Sequence, residues 1–160
     1  MPMSPARKNW RERLAGYPRL PQVKPIPAAI AKRRGAGTIA IPSPREVEDA
    51  MRGVPHHRLT TVFGIGEAIA ERHGATIGCT VTTAIFAHMV AHAAEEGRAD
   101  EGAAAAARVP WWRTLKIGGE LNPNYPGGID AQMERLQAEG HRVVQRGKRF
   151  FVEGYQDKLC

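Results

Sequence analysis

The chain has 160 residues, of which 42% are hydrophobic and 24% are charged, enough for one globular domain with a modest core. No apolar run approaches the roughly 18 residues of a membrane-spanning helix, and the N-terminus lacks a secretory signal, so we expect a cytoplasmic protein. The two cysteines, Cys79 and Cys160, are too few for a disulfide framework and form no CxxC pair. We expect no metal or cofactor, and we expect the protein to be a monomer.

The net charge of +7 comes from the N-terminal segment. Residues 1–45 hold ten Lys or Arg and one acid, whereas the other 115 residues hold 13 basic and 15 acidic side chains. The same segment contains eight of the twelve prolines, which remove backbone donors and disfavour helix. We predict a largely extended basic arm over residues 1–42, with one short helix around residues 4–14, and a folded domain over residues 43–160. Such an arm either follows a phosphate backbone or is a solvated tail.

Two helices are predicted at the start of the domain. Ser43 and Glu46 have the spacing of a capping box, and apolar residues then recur at helical spacing up to residue 54. Thr60 or Thr61 can cap a second helix that runs to about residue 72. Gly74 is placed to end that helix in the left-handed conformation. The turn between these two helices is typical of helical DNA-binding motifs.

A third helix is predicted from about residue 80 or 82 to residue 96. Two adjoining apolar stripes, one containing Val81 and Ile85 and the other Phe86 and Val90, predict a core helix packed on more than one neighbour. Two helices, a connection and a long helix favour a helix-turn-helix or a winged variant of it. The alanine run at residues 103–107 is interpreted as a spacer.

The last part of the chain predicts one more helix and a hairpin. Turn residues fill positions 122–128, a helix marked by Ile129, Met133 and Leu136 follows, and Gly140 is placed to end it. Residues 141–145 and 149–153 then read as a β-hairpin, which would be the wing. We therefore predict an α/β, mostly helical domain of winged helix-turn-helix type with a C-terminal hairpin.

The segment from Val109 to Gly140 reads VPWWRTLKIGGELNPNYPGGIDAQMERLQAEG. It resembles the active-site segment of the O6-alkylguanine-DNA alkyltransferases, in which Pro-Cys-His-Arg is followed by a short loop ending in Gly and a helix ending in Leu-x-x-Glu-Gly. Trp111 stands where that family has the alkyl-accepting Cys, and Trp112 where it has His. The chain therefore resembles the alkyltransferase-like branch, which lacks the acceptor. The matching positions are Pro110, Arg113, Gly119, Leu136, Glu139 and Gly140.

The resemblance implies a domain of the alkyltransferase C-terminal type that binds DNA, including O6-alkylguanine or distorted sites, without transferring an alkyl group. It implies a pocket for a flipped base, in which the indole of Trp111 would stack on the base. On the alternative interpretation, both tryptophans are core or hinge aromatics. The pocket residues implied are Pro110, Trp111, Trp112, Arg113 and Glu139.

The predicted third helix cannot itself supply phosphate contacts, because no Lys or Arg lies between Arg72 and Arg98. We expect these contacts from the N-terminal arm and from the hairpin. DNA is the expected partner, and the sequence leaves RNA open. The candidate nucleic-acid-binding residues are Arg7, Lys8, Arg11, Arg13, Lys32, Arg33, Arg34, Arg142, Arg146, Lys148 and Arg149.

Two other kinds of function remain open. Cys79 precedes the third helix, where the positive end of the helix dipole favours a thiolate, so an enzyme using Cys79 as the nucleophile is one alternative. His88 and His92 have the spacing of zinc ligands, but no third ligand accompanies them, and we expect no metal there. The remaining alternative is a protein-interaction module whose uncharged third helix docks a partner.

Overall fold

The computed structural model describes residues 9–101 and 109–160. The predicted mixed α/β architecture is found, with about half of the described residues in helices. No helix in these two ranges is long and apolar enough to cross a membrane. The alanine run at residues 103–107 lies outside them. The helices are α1 (Trp10–Leu14), α2 (Ala28–Arg34), α3 (Pro44–Arg52), α4 (Val62–Arg72), α5 (Thr80–Glu101) and α6 (Gly128–Ala138), and the strands are β1 (Gln22–Pro25), β2 (Thr38–Ile41), β3 (Thr60–Thr61), β4 (Ile77–Gly78), β5 (Thr114–Leu115), β6 (Val143–Arg146) and β7 (Arg149–Val152).

The prediction of a largely extended arm is wrong for residues 9–42. Strand β1 pairs antiparallel with β2, and β2 pairs in parallel with β4, so this segment shares a three-stranded sheet with the rest of the chain. Ile26 and Ile39 are buried against Ile77 and form a small hydrophobic core. The number of prolines gave no reason to expect this core. The prolines do not oppose this fold, because Pro25 ends the edge strand β1 and Pro27 precedes the first residue of α2.

Helix α1 is the short helix predicted near the N-terminus, of which residues 10–14 are seen. The Asn9 side chain accepts a hydrogen bond from the Glu12 amide at 2.7 Å and caps the helix. Trp10 donates its backbone N–H to the Glu96 carboxylate, and Leu14 enters the main hydrophobic core. Side-chain and core contacts therefore fasten α1 along α5.

The predicted caps at the start of α3 and α4 are confirmed, and α4 ends at Arg72 as predicted. Ser43 and Glu46 make both hydrogen bonds of the capping box, at 3.2 and 2.9 Å. Thr61 accepts from the Gly64 amide at 3.0 Å and caps α4. Gly74 follows α4 with a φ of +68°, in the left-handed region.

The connection between α4 and α5 is long because it contains strand β4. A Cβ on Gly78 would lie 2.2 Å from the carbonyl oxygen of Gly66, so two glycines let α4 and β4 approach backbone to backbone. Helix α5 then passes through the centre of the main core, where Phe86 and Val90 are fully buried. The prediction of a central third helix is therefore confirmed.

A second core lies under the C-terminal hairpin. The predicted hairpin is confirmed, but Arg146 pairs with Arg149, so the loop has two residues and not the three predicted between the strands. Leu59, Leu121 and Val152 are among the residues buried between the hairpin, α6 and the short parallel pair of β3 and β5. This packing fixes the hairpin beside the turn that follows β5.

Candidate nucleic-acid interface

Trp111 is a core side chain in a 3₁₀ turn that spans Trp111–Arg113. Only 1% of its surface is exposed, and its indole N–H donates to the Glu95 carboxylate at 2.9 Å. Tyr125 packs edge-on against its ring, and the Arg135 guanidinium lies 5.1 Å from the ring centroid. An indole without an exposed face cannot stack on a base, so the structure corrects the stacking role predicted for Trp111 to a core role.

Arg113 and Glu139 form a largely buried ion pair that joins this turn to the end of α6. The Arg113 guanidinium donates to both carboxylate oxygens of Glu139 at 2.8 Å and to the carbonyl of Val54 at 2.7 Å. Trp112 donates its indole N–H to the same carboxylate at 2.8 Å. Burial raises the pKa of Glu139, but the hydrogen bonds from Arg113 and Trp112 outweigh it and hold that pKa below its ordinary value.

These contacts make the predicted pocket residues a structural unit, which we call the Trp111 bracket: Pro110, Trp111, Trp112, Arg113 and Glu139. The sequence prediction that the five lie together is correct. Their polar atoms, however, bind one another and the neighbouring helices, and none of the five lines the large surface groove described next. The bracket holds α5, α6 and the 3₁₀ turn in one arrangement.

A surface groove of about 930 Å³ lies between the first half of α5 and the turn after β5. We call it the α5 groove. Val81 and Ile85 on α5 are 71% and 50% exposed, and Ile117 on the facing turn is 59% exposed. A concentration of exposed apolar side chains on one surface marks an interaction site.

The outward position of Val81 and Ile85 corrects one prediction. Both were assigned to a core-facing stripe, but only the other stripe, with Phe86 and Val90, is buried along its length. Periodicity identifies the faces of a helix but does not show that a neighbour covers each face. The uncovered stripe is the signal in the sequence from which the groove could have been found.

Two cations, Lys116 and Arg149, line the α5 groove. Arg149 of the hairpin hydrogen-bonds the Glu120 carboxylate at 2.7 Å, and the Lys116 ammonium lies 3.8 Å from the same carboxylate. The Arg149 hydrogen bond is the main reason why the pKa of Glu120 is below its ordinary value. Arg146 and Arg149 also lie over the Phe151 ring, at 5.4 and 5.2 Å from its centroid. The hairpin cations are thus held beside the groove.

The basic last turn of α2 lies beside α4. Helix α2 carries Lys32, Arg33 and Arg34 in its last turn. The Arg34 guanidinium lies 5.8 Å from the Phe63 ring centroid and 3.3 Å from the Glu67 carboxylate. These contacts hold Arg34, in the last turn of α2, against α4.

The remaining predicted cations lie elsewhere. Arg11 pairs with Glu48 at 2.9 Å, and the Arg13 guanidinium lies over the Trp10 ring, so both stay with α1. Lys148 is at the tip of the hairpin. Arg142 is 80% exposed and pairs with Glu153. Arg7 and Lys8 lie outside the described residues.

Of the alternative reactive groups, His88 lines the α5 groove, whereas Cys79 and His92 do not. The Cys79 thiol donates to the Thr82 hydroxyl at 3.1 Å and packs beside the sheet core around Ile39. The His88 and His92 rings lie 4.5 Å apart, and both contact the Trp10 ring. In the part of the chain that the structure describes, no group of three or more His, Cys, Asp or Glu side chains is arranged to hold a metal ion.

The fold and the groove define a mixed α/β domain with an apolar groove that Lys116 and Arg149 also line. The chain matches no family model and no curated protein. It is similar to the crystal structure of Atl1 from S. pombe in complex with damaged DNA containing O6-carboxymethylguanine, with a TM-score of 0.44, and to that of S. pombe ATL in complex with DNA, with a TM-score of 0.45. In both cases the identity is 20%, over 73% of this chain and 93% of that chain. At this level of similarity, the surface of the chain itself has to carry any functional conclusion.

Proposed function

We propose that this protein is a non-enzymatic DNA-binding protein of the alkyltransferase-like type, which holds duplex DNA in the α5 groove. The observation that carries the proposal is a groove in which the exposed apolar side chains Val81, Ile85 and Ile117 lie together with the cations Lys116 and Arg149. Phosphates are attracted to the cations, with release of counterions, and apolar side chains suit the floor of a minor groove. Preference for O6-alkylguanine or distorted DNA is proposed from the resemblance of the segment from Val109 to Gly140.

The chemistry of α5 favours the minor groove. Val81, Ile85 and their neighbours Thr80 and Ala84 present no charged group and no amide side chain to the groove. Readout in the major groove uses bidentate contacts from Arg, Asn or Gln to base edges, and this surface of α5 has none of them. This surface of α5 would therefore recognise DNA through its shape and through apolar contacts.

The residues at the predicted acceptor position, and Cys79, argue against alkyl transfer. Trp111 and Trp112 carry no nucleophile, and the Glu139 carboxylate is occupied by Arg113 and Trp112. The thiol of Cys79 is engaged with Thr82 and is not among the groove residues. We therefore expect no methyl transfer from methylated DNA to the protein.

The test is fluorescence anisotropy of a short duplex, with and without one O6-methylguanine, over a series of salt concentrations. Replacing Lys116 and Arg149 together by Ala should weaken binding and lower the slope of log K against log salt by about one per lost phosphate contact. The control is Arg45→Ala, whose side chain is 90% exposed on α3, away from the groove. Equal weakening by both variants would contradict a binding site at the groove.

Deletion of residues 1–42 is the wrong test of the N-terminal cations, because it also removes β1 and β2 from their sheet. Substitution of Lys32, Arg33 and Arg34 by Ala leaves those strands in place. We expect it to reduce affinity for all duplexes alike, while the ratio between modified and unmodified duplex is unchanged. A changed ratio would show that α2 contacts the lesion.

A protein partner is the second candidate, favoured by the exposed apolar stripe of α5. A complex held by Val81 and Ile85 would resist high salt, whereas DNA binding weakens steeply. Retention of affinity at high salt, together with no binding of duplex, would replace the first proposal by this one.

A further inference from the structure

The turn that carries Ile117 projects from the wall of the α5 groove. Residues Ile117–Gly119 form a 3₁₀ turn with φ of +81° at Gly118, a left-handed conformation that favours glycine. At the base of the turn, the Lys116 amide donates to the Glu120 carbonyl at 2.8 Å. A Cβ added to Gly118 would meet nothing within 4 Å. The tip of this turn is therefore open to solvent, with Ile117 at its first position.

The base of the turn is firmly held, in contrast to its tip. A Cβ on Gly119 would lie 2.4 Å from the Tyr155 ring, so only glycine fits against that ring. The Leu121 amide donates to the Phe150 carbonyl at 2.9 Å, and Glu120 binds Arg149. A large apolar side chain is thus presented to solvent from a fixed base, which is how a side chain that enters another molecule has to be held.

We propose that Ile117 is an apolar wedge that enters between two base pairs of the DNA held in the α5 groove, an inference that rests on the proposed function. Isoleucine is among the side chains that minor-groove-binding proteins insert between base steps, partly unstacking them. Lys116 precedes the wedge in sequence, and Arg149 lines the same groove, so both cations are near the phosphates of the opened step. DNA opened in this way bends away from the wedge and presents more surface to α5.

The shape of the turn distinguishes Ile117 from the other exposed apolar side chains of the groove. Val81 and Ile85 lie one helical turn apart on the side of α5, so they form a broad wall. Such a wall covers the edge of a base pair but does not pass between two of them. Ile117 stands on a narrow turn with open space beside it.

The test uses a short duplex with 2-aminopurine at alternate positions of one strand, because this base fluoresces more strongly when it is unstacked. Binding is followed separately by anisotropy of a dye at the end of the duplex. Saturation with the wild-type protein should raise the 2-aminopurine emission, saturation with Ile117→Ala should not, and Ile117→Leu should restore the rise. Leu159→Ala is the matched control, since Leu159 is 41% exposed and does not line the groove.

The two readouts separate the two proposals. Absence of an anisotropy change with the wild-type protein would overturn the proposed function. Binding without a rise in emission, or an equal rise with Ile117→Ala at saturation, would overturn the wedge and leave DNA binding intact. Because Ile117 is exposed, loss of the rise cannot be attributed to misfolding if the circular dichroism spectra of the variant and the wild type agree.

Discussion

The Trp111 bracket and the α5 groove are opposite kinds of surface in one small domain. In the bracket, indole N–H groups and a guanidinium are hydrogen-bonded to carboxylates that are buried or half-buried. In the groove, large apolar side chains stand in solvent, and Lys116 and Arg149 line the same surface. The polar groups of the bracket are hydrogen-bonded within the molecule. The apolar side chains of the groove are left uncovered. The residues at the predicted acceptor position are therefore structural, whereas Lys116 and Ile117 of the same segment line the groove.

The largest effect is expected from truncating the centre of the bracket. Trp111→Ala removes a fully buried ring and leaves Glu95 without the indole donor, so we expect the free energy of unfolding to fall by about 4 kcal/mol. Urea denaturation measures the change. DNA affinity, measured where the variant is still folded, should remain close to that of the wild type.

The opposite outcome for Trp111→Ala would contradict the contrast drawn between the bracket and the groove. If the variant keeps its stability but loses its preference for O6-methylguanine, the side chain contacts DNA, and the bracket belongs to the binding site. Leu136→Ala is a suitable control, because Leu136 is equally buried in the second core and has no proposed contact with DNA.

The next largest effect is expected from placing negative charge in the α5 groove. Val81→Glu should weaken duplex binding about tenfold or more, because the carboxylate repels phosphates and is costly to desolvate at the interface. Stability should change by less than about 0.5 kcal/mol, since Val81 is 71% exposed. Val23→Glu on the edge strand β1 makes the same substitution at an exposed position outside the groove. Equal affinities of the two variants would show that DNA does not contact α5.

The elements that proved predictable are those fixed by local chemistry. Caps at Ser43 and Thr61, the left-handed residue at Gly74 and the hairpin around residue 147 each depend on a few adjacent residues, and the structure has all of them. The fold of residues 9–42 was missed, because it depends on pairing β2 with β4 some 38 residues later in the chain. Proline content describes local preference and carries no information on that distant partner.

The α5 groove was not predicted, for a related reason. Sequence similarity correctly brought Arg113 and Glu139 together, but whether Trp111 faces a cavity or a core depends on Glu95, Tyr125 and Arg135, none of which belongs to the motif. Exposure of Val81 likewise depends on no other element covering that face of α5. Burial is decided by tertiary packing, and one amphipathic pattern is compatible with both results.

A smaller effect is expected from pH, and it concerns the bracket side of the molecule. Burial lowers the pKa of His141, whose Nε2 has no hydrogen-bond partner in the described part of the chain, and Lys158, His57 and Arg113 act in the same direction against Glu139. The unfolded chain therefore binds a proton at a higher pH than the folded chain does. Stability should fall as the pH drops below the ordinary histidine value of 6.5.

Denaturation at a series of pH values checks this expectation. His141→Phe should flatten the dependence between about pH 7 and pH 5. The Glu139 carboxylate, whose pKa is lowered, adds a further loss of stability below its ordinary value of 4.5, which the His141 variant should retain. An unchanged slope between pH 7 and pH 5 in His141→Phe would mean that another group causes it. DNA binding through the groove should show no matching change for His141→Phe, because His141 is not a groove residue.

The smallest effect is expected from Cys79→Ser, which is also the sharpest test of thiol chemistry. Serine can donate the same hydrogen bond to Thr82, and Cys79 is only half-buried beside the sheet core, so stability should change by less than about 1 kcal/mol. Duplex affinity and lesion preference should be unaltered, because recognition is assigned to the groove and not to the thiol. Incubation with DNA carrying a radiolabelled methyl group should label neither the wild type nor the variant. Label on the wild type that disappears in Cys79→Ser would instead show an enzyme whose nucleophile lies outside both the bracket and the groove.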